Sequence, residues 1–492
     1  MRRRALFWAS AWAAATLSVG RARAEPPAPA TAADAAAASA PEASAAPSAP
    51  PWLDDTSAPC SDERRAPDPR CGDELGGRRE AAPGTTAPQA LLAIPRYSAK
   101  AIFWPVVWAG SELEIHHVGP WLEAWTTTDD RLIGVRPELQ YMTGFLPTVG
   151  ARVFDRRLPL PGSEIVARFR TAGSSTDFGQ IMMTAPAWLG LQASATWNRR
   201  GDYVFAGIGP TSNAQLYEMG RGLSRYGSDA LIADVGWSRR YLGHVAPSLH
   251  ADVQRRDYGA PRSGTPNPPI EEVYAGSPLA CAQLGLPGGC VDPTLVPGFE
   301  SGLRIAHAGA GLALTAGRAG RDGGGVSLAF DGTYGQGIAG DPTRLVLVRA
   351  ETVLAAGSID RVWLLRVRAA AVTPLEGTIV PFDELVSPSG EAGMRGFLEG
   401  RFRDLSGFVA TAEYRWFVAF NLDASLFVDV GTVAGEWFSG LGSSHLFPSY
   451  GIGLRRYEMP GGPYWMAPAA DGIQVAYAPG SGWRLLFSLA VF

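Results

Sequence analysis

"FVATAEYRWFV", residues 408–418, alternates with a period of two. Ala410, Ala412, Tyr414 and Trp416 share one face, and Val409, Thr411, Glu413 and Arg415 share the other. The next run, "LDASLFVDVGTV" at 422–433, repeats the pattern. Leu422, Ala424, Leu426, Val428 and Val430 oppose Asp423, Ser425, Phe427, Asp429 and Gly431. Successive side chains of a strand point to opposite sides, so each run has an apolar and a polar face. A soluble sandwich turns its apolar face to a dry core, whereas an outer-membrane barrel turns it to lipid and keeps a polar lumen. An Arg or Lys at the lipid midplane costs about 2–4 kcal/mol. The face bearing Glu413, Arg415, Asp423 and Asp429 is therefore assigned to the interior.

Similar runs extend through most of the chain: 148–156, 163–171, 189–198, 230–242, 248–258, 302–317, 325–337, 344–357 and 361–373 before the pair above, then 450–458, 471–479 and 483–492. Weaker candidates lie at 177–185 and 202–207. Many alternating strands separated by turn residues predict an all-β architecture, and runs of about ten residues suit a tilted crossing of a bilayer. Counting back from Phe492 gives 16 strands, the first near Val149–Arg156, with 131–141 as a lead-in or part of that strand. The expected fold is a closed transmembrane antiparallel β-barrel with a polar lumen, over 131–492. Connector lengths alternate as such barrels require. Short turns are expected at Arg199–Asp202, Gly357–Asp360 and Ala419–Asn421, and long loops at 208–228, 259–300, 374–405 and 434–449. Met459–Ala470 is a long connector on the short side. A terminal aromatic, Phe492, fits the C-terminal signal of these barrels.

The N-terminus reads as a secretory signal peptide over 1–24: Arg2–Arg4, an apolar run Ala5–Gly20, then Ala22-Arg23-Ala24. Residues 25–90 are rich in Ala, Pro and Ser and bury too little apolar surface to offset ordering, so they read as a disordered linker. Residues 91–130, apolar and aromatic, form a pre-barrel periplasmic or plug-like segment. After residue 24 no apolar run reaches the roughly 18 residues of a spanning helix. Cys60/Cys71 and Cys281/Cys290 are two local pairs, placed either for small disulfide loops or as free thiols. Neither has the spacing of a zinc site.

The net charge of -4 argues against a nucleic-acid partner. His116, His117, His244, His250, His307 and His445 fall in no nucleophile or zinc motif. "GRDGGG" at 320–325 is a glycine turn without the strand–loop–helix context of a phosphate cradle. No enzyme activity, metal or cofactor is therefore expected.

Between two of the strands stands "EAGMRGFLEGRFRD", 391–404. The order Arg395-Gly396-Phe397, then Ala412-Glu413-Tyr414-Arg415, then Phe427-Val428-Asp429-Val430-Gly431, followed by "GIGLRR" at 451–456 and a final Phe, resembles the C-terminal barrel of the outer-membrane assembly factor superfamily (BamA/TamA type, also called bacterial surface antigen). The clear resemblance covers about 379–492 and a weaker likeness reaches back to about 130. It implies that the sixth external loop folds into the lumen and that its arginine pairs with acidic groups of the inner wall. Glu413 and Asp429 already face inward by alternation, so Arg395 is placed to bridge both through its planar fork. Gly396 allows a tight turn and Phe397 packs in the lumen.

The resemblance also implies an outer-membrane location, lipid around a monomeric barrel, and unfolded outer-membrane proteins as clients for insertion or translocation through a weak first-to-last strand seam. Family members of the assembly type carry POTRA repeats before the barrel, and residues 25–128 are too short and too rich in Pro and Ala for a convincing series. A passive channel or a lipid-handling or structural surface barrel therefore stands as the alternative.

Overall fold

The structure, a computed structural model, describes residues 125–490 apart from 129, 131, 174–175, 187, 212, 219–221, 242–243, 263, 318–323, 359–360, 420–421 and 458–468. The expectations for the signal peptide, the linker, Cys60 and Cys71, nearly all of 91–130, the POTRA repeats and Phe492 lie outside these residues.

Sixteen antiparallel strands close into one barrel. The first four are β1 (Ile133–Met142), β2 (Thr148–Asp155), β3 (Glu164–Thr171) and β4 (Thr176–Thr184). Longer strands follow: β5 (Leu191–Phe205), β6 (Ser224–Ser238), β7 (Val245–Gly259), β8 (Leu303–Gly317), β9 (Gly325–Gly337), β10 (Arg344–Ser358) and β11 (Arg361–Pro374). The last five are β12 (Ser406–Ala419), β13 (Leu422–Ala434), β14 (Phe447–Tyr457), β15 (Ala469–Ala478) and β16 (Gly482–Ala490). Every strand pairs with its sequence neighbours, and β1 pairs with β16 to close the ring.

The total of 16 stands, but two strand assignments change. Residues 133–142 are the first strand, hydrogen-bonded to β2 on one side and to β16 on the other. The segments 189–198 and 202–207 are one strand, β5, and Arg199–Asp202 is not a turn. The β5–β6 register shifts between Arg200 and Tyr203 without breaking the strand. An extra residue accommodated this way bends a strand while pairing continues. Arg200 and Asp202 form an ion pair there at 2.6 Å, so the polar cluster that suggested a turn is a bulge facing inward.

The outer face is the apolar one. Val135, Val149, Val153, Phe169, Ile181, Leu231, Val235, Leu249, Val253, Leu365 and Val428 are exposed on it. Aromatic side chains flank this band: Trp188, Tyr241 and Trp363 toward one end, and Tyr334, Tyr450 and Trp483 toward the other. Such girdles suit the two membrane–water interfaces. The assignment of charge to the interior holds across the band. Glu138 meets Arg168 at 3.3 Å, and Glu351 meets Arg366 at 3.0 Å and Arg368 at 3.3 Å. The exceptions, such as the exposed pair Arg255–Asp257 at 2.7 Å, sit near the outer ends of long strands.

Connectors sort by end. The loops 206–223, 260–302, 375–405 and 435–446 share one end, here the loop end; 156–163, 185–190 and 239–244 lie at the other, the turn end. At the loop end the barrel acquires a core of its own. Phe205, Tyr226, Phe299 and Phe382 pack with Ile270, Tyr274, Val291 and Val296 of the loop 260–302 and with Leu345 and Val372 of the wall. A Cys281–Cys290 disulfide lies within that loop, with Cα atoms 5.4 Å apart. Its short helix Pro278–Gln283 begins at Ser277, whose hydroxyl accepts from the Ala280 amide. That caps an otherwise unpaired donor.

Candidate functional site

The sixth loop, residues 375–405 between β11 and β12, runs inside the barrel and is held at two places. The tip contains Arg395. Its Nε and Nη2 donate to the two oxygens of Asp429 at 3.0 and 2.7 Å, and its backbone amide donates to the same carboxylate at 3.1 Å. Nη1 donates to Glu413 Oε2 and to Gln474 Oε1, both at 3.2 Å. The guanidinium carbon lies 3.3 Å from the centre of the Phe427 ring. The fork of donors thus reaches β12, β13 and β15 at once, while its face stacks on an aromatic. A lysine could not reproduce this geometry.

The carboxylates are themselves oriented. Asp429, with no exposed surface, also accepts from Thr411 at 2.9 Å and Ser449 at 3.2 Å. Glu413 accepts from Arg415 at 2.5 Å and faces Arg455 at 3.7 Å. Charges buried this deeply require such compensation.

Gly396 lets the backbone approach the wall closely. A Cβ there would come within 2.6 Å of the Ser449 Cβ and 2.8 Å of the Ala478 Cβ. Gly431 likewise admits the loop, since a Cβ would meet the Met394 sulfur at 2.9 Å. Phe397 packs with Met394, Phe402, Val409, Val433 and Ala478. Its carbonyl accepts from Arg484 of β16, which also donates to the Thr143 carbonyl at 3.1 Å. The structure thus brings Arg395, Gly396, Phe397, Glu413, Asp429 and Gly431 together in one place.

The second hold, at the root of the loop, has no counterpart in the sequence reading. Asp383 accepts from Arg256 of β7, from Arg403 at 2.9 Å and from Tyr258 at 3.2 Å. Arg403 also donates to the Phe382 carbonyl at 3.0 Å and to the Tyr226 hydroxyl at 3.1 Å. Burial opposes the Asp383 charge, but Arg256 and Arg403 outweigh it and hold the carboxyl at about 2. Arg256 lies 127 residues from Asp383 and no local pattern links them.

Beneath the root lies a polar cavity of about 540 Å³ lined by Gln192, Asp234, His250, Asp252, His307 and Glu384, among others. Among the described residues no group of three or more His, Cys, Asp or Glu side chains is arranged to hold a metal ion.

Among the described residues, five positions pair between β1 and β16, from Glu138–Ala490 to Met142–Leu486, and fourteen between β10 and β11. Beyond the paired stretch, Thr143 continues the contact. Its amide donates to the Leu485 carbonyl and its hydroxyl accepts from the Leu485 amide.

No family model and no curated protein matches the chain. Solved structures do. The BamA of Haemophilus ducreyi lacking POTRA domains 1–3 is 13% identical, over 73% of this chain and 70% of its own, with a TM-score of 0.46. CdiB from Escherichia coli is 13% identical over 73% and 63%, with a TM-score of 0.43. CdiB from Acinetobacter baumannii is 13% identical over 72% and 59%, with a TM-score of 0.40. The chain resembles these barrels. This chain spans less than two thirds of either CdiB. The barrel itself is fixed by its own strand pairing.

Proposed function

We propose that this protein is an outer-membrane barrel of the assembly-factor superfamily that handles other polypeptides, by insertion or translocation, at the seam between β1 and β16. The observation that carries this reading is the juxtaposition of the β1–β16 closure, paired at five positions among the described residues, with a buried loop tip held by the strands next to it. A strand edge that lacks full pairing is a template for another strand. Opening β1 from β16 exposes two such edges. The loop tip, bonded to β12, β13 and β15 and to Arg484 of β16, keeps the C-terminal side in shape while the edge is free.

The alternative of a passive channel draws on the polar cavity under the loop root. The two readings separate in one experiment. Full-length protein is reconstituted in liposomes and presented with a urea-unfolded outer-membrane barrel as client. Acceleration of client folding over empty liposomes is expected. It should be lost when cysteines placed at the facing positions Gln140 and Ser488 are oxidised to close the seam, and restored on reduction. Steady conductance with no acceleration, or acceleration indifferent to the cross-link, rejects the seam reading.

A further inference from the structure

His307 sits on the inner face of β8, 6% exposed. Its ring stands between two carboxylates from different parts of the chain. Nδ1 lies 3.0 Å from Asp252 Oδ1 on β7, and Nε2 lies 3.5 Å from Glu384 Oε2 in the root of the sixth loop. The Gln254 amide nitrogen donates to Asp252 at 2.7 Å and lies 3.4 Å from Nδ1. The site has room for the ring because residue 335, opposite on β9, is glycine. A Cβ there would come within 2.9 Å of His307 Cδ2.

This geometry constrains the proton count. A neutral imidazole has one N–H and one lone pair, whereas the imidazolium has two donors. With Nδ1 donating to Asp252, a neutral ring turns its lone pair toward the Glu384 carboxylate. Only the imidazolium offers each carboxylate a donor.

The surrounding charges are otherwise matched. On β7, Arg256 serves Asp383, as does Arg403 of the loop. Asp331 on β9 faces His250 of β7 at 3.6 Å and Arg349 of β10 at 3.5 Å. Adjacent residues of one loop are thus held in two ways: Asp383 by guanidiniums that never lose their charge, and Glu384 by a group that can.

We propose that His307 is a proton-dependent latch. Through Glu384 it ties the root of the sixth loop to the β7–β8 wall, and it lets go when the imidazolium gives up its proton. The proposal needs only the barrel and the loop, and stands whether or not the protein handles clients.

The test is hydrogen exchange of the full-length protein in lipid nanodiscs across a pH series, with rates corrected for intrinsic exchange. Loss of this buried ion pair as pH rises should lower protection of a peptide covering 383–390 by about tenfold or more. Peptides over the tip should not follow. Both His307→Gln and Glu384→Gln should give a root whose protection is flat with pH above ~4, where Asp383 stays charged. If Glu384→Gln keeps the wild-type pH profile, the latch is wrong. Should His307→Gln fail to fold, nitrogen shifts of the His307 ring decide. Two protonated nitrogens in the wild type and one in Glu384→Gln at the same pH support the latch; a neutral ring in the latched wild type overturns it.

Discussion

The two holds on the sixth loop are inverse to each other. At the tip, one guanidinium lies between two carboxylates, Glu413 and Asp429. At the root, one carboxylate lies between two guanidiniums, Arg256 and Arg403. The tip fastens to β12–β16, next to the closure, with small residues that let backbone approach wall. The root fastens to β7 under an aromatic cap in which Phe382 meets Tyr258 at 4.8 Å and Tyr226 at 5.4 Å. One loop therefore ties together two parts of the wall that share no strand pairing. The difference teaches where each hold is weak: the polar contacts of the tip converge on one side chain, Arg395, whereas those of the root are shared between Arg256 and Arg403 under a larger aromatic core.

The largest effect should come from Arg395→Ala. It leaves Glu413 and Asp429 buried without their shared donor, and breaking a buried pair costs about 3–5 kcal/mol. Heat-resistant folding on gels should fall, and the tip should lose exchange protection while the root keeps its own. Equal loss at both places would break the comparison, because the holds would then act as one.

Acid should strike the root next. The Asp383 carboxyl is held at about 2, below its ordinary value near 4. Its contribution of about 2 kcal/mol is therefore present above pH ~4 and fades as pH falls through ~2. Exchange at residues 380–386 should rise over that window in the wild type and show no such step in Asp383→Asn. A step of the same size in the variant would place the acid sensitivity elsewhere.

Smaller still is Gly396→Ala, in the lower part of the overpacking range, at about 1 kcal/mol, since the loop can retreat from Ser449 and Ala478. The urea midpoint should drop slightly with the tip alone loosened. An unchanged midpoint would mean that the tip does not press on the wall as closely as its distances indicate.

The tip was readable because its parts have local signatures. Alternation alone turned Glu413, Phe427 and Asp429 inward, and the order of short motifs tied Arg395 to them. The root was not readable because it is assembled by closure of the ring. Asp383, Arg256 and Tyr258 meet only once β7 and the loop face each other across the lumen. The misread strands have a local cause as well. Arg199, Arg200 and Asp202 around Gly201 look like a turn when the bulge that absorbs them is invisible, and 131–141 looked surplus because β5 had been counted twice. The two errors offset one another in the strand count.

The short strands beside the closure have a mechanical consequence. β2 and β3 have eight residues each and β4 has nine. At about 3.3 Å per residue and a tilt near 45°, eight residues span roughly 19 Å along the membrane normal. An ordinary hydrocarbon layer is about 30 Å thick. Acyl chains against that side would have to shorten or splay to match the wall, so local thinning of the bilayer is the expected consequence even when the ring is shut.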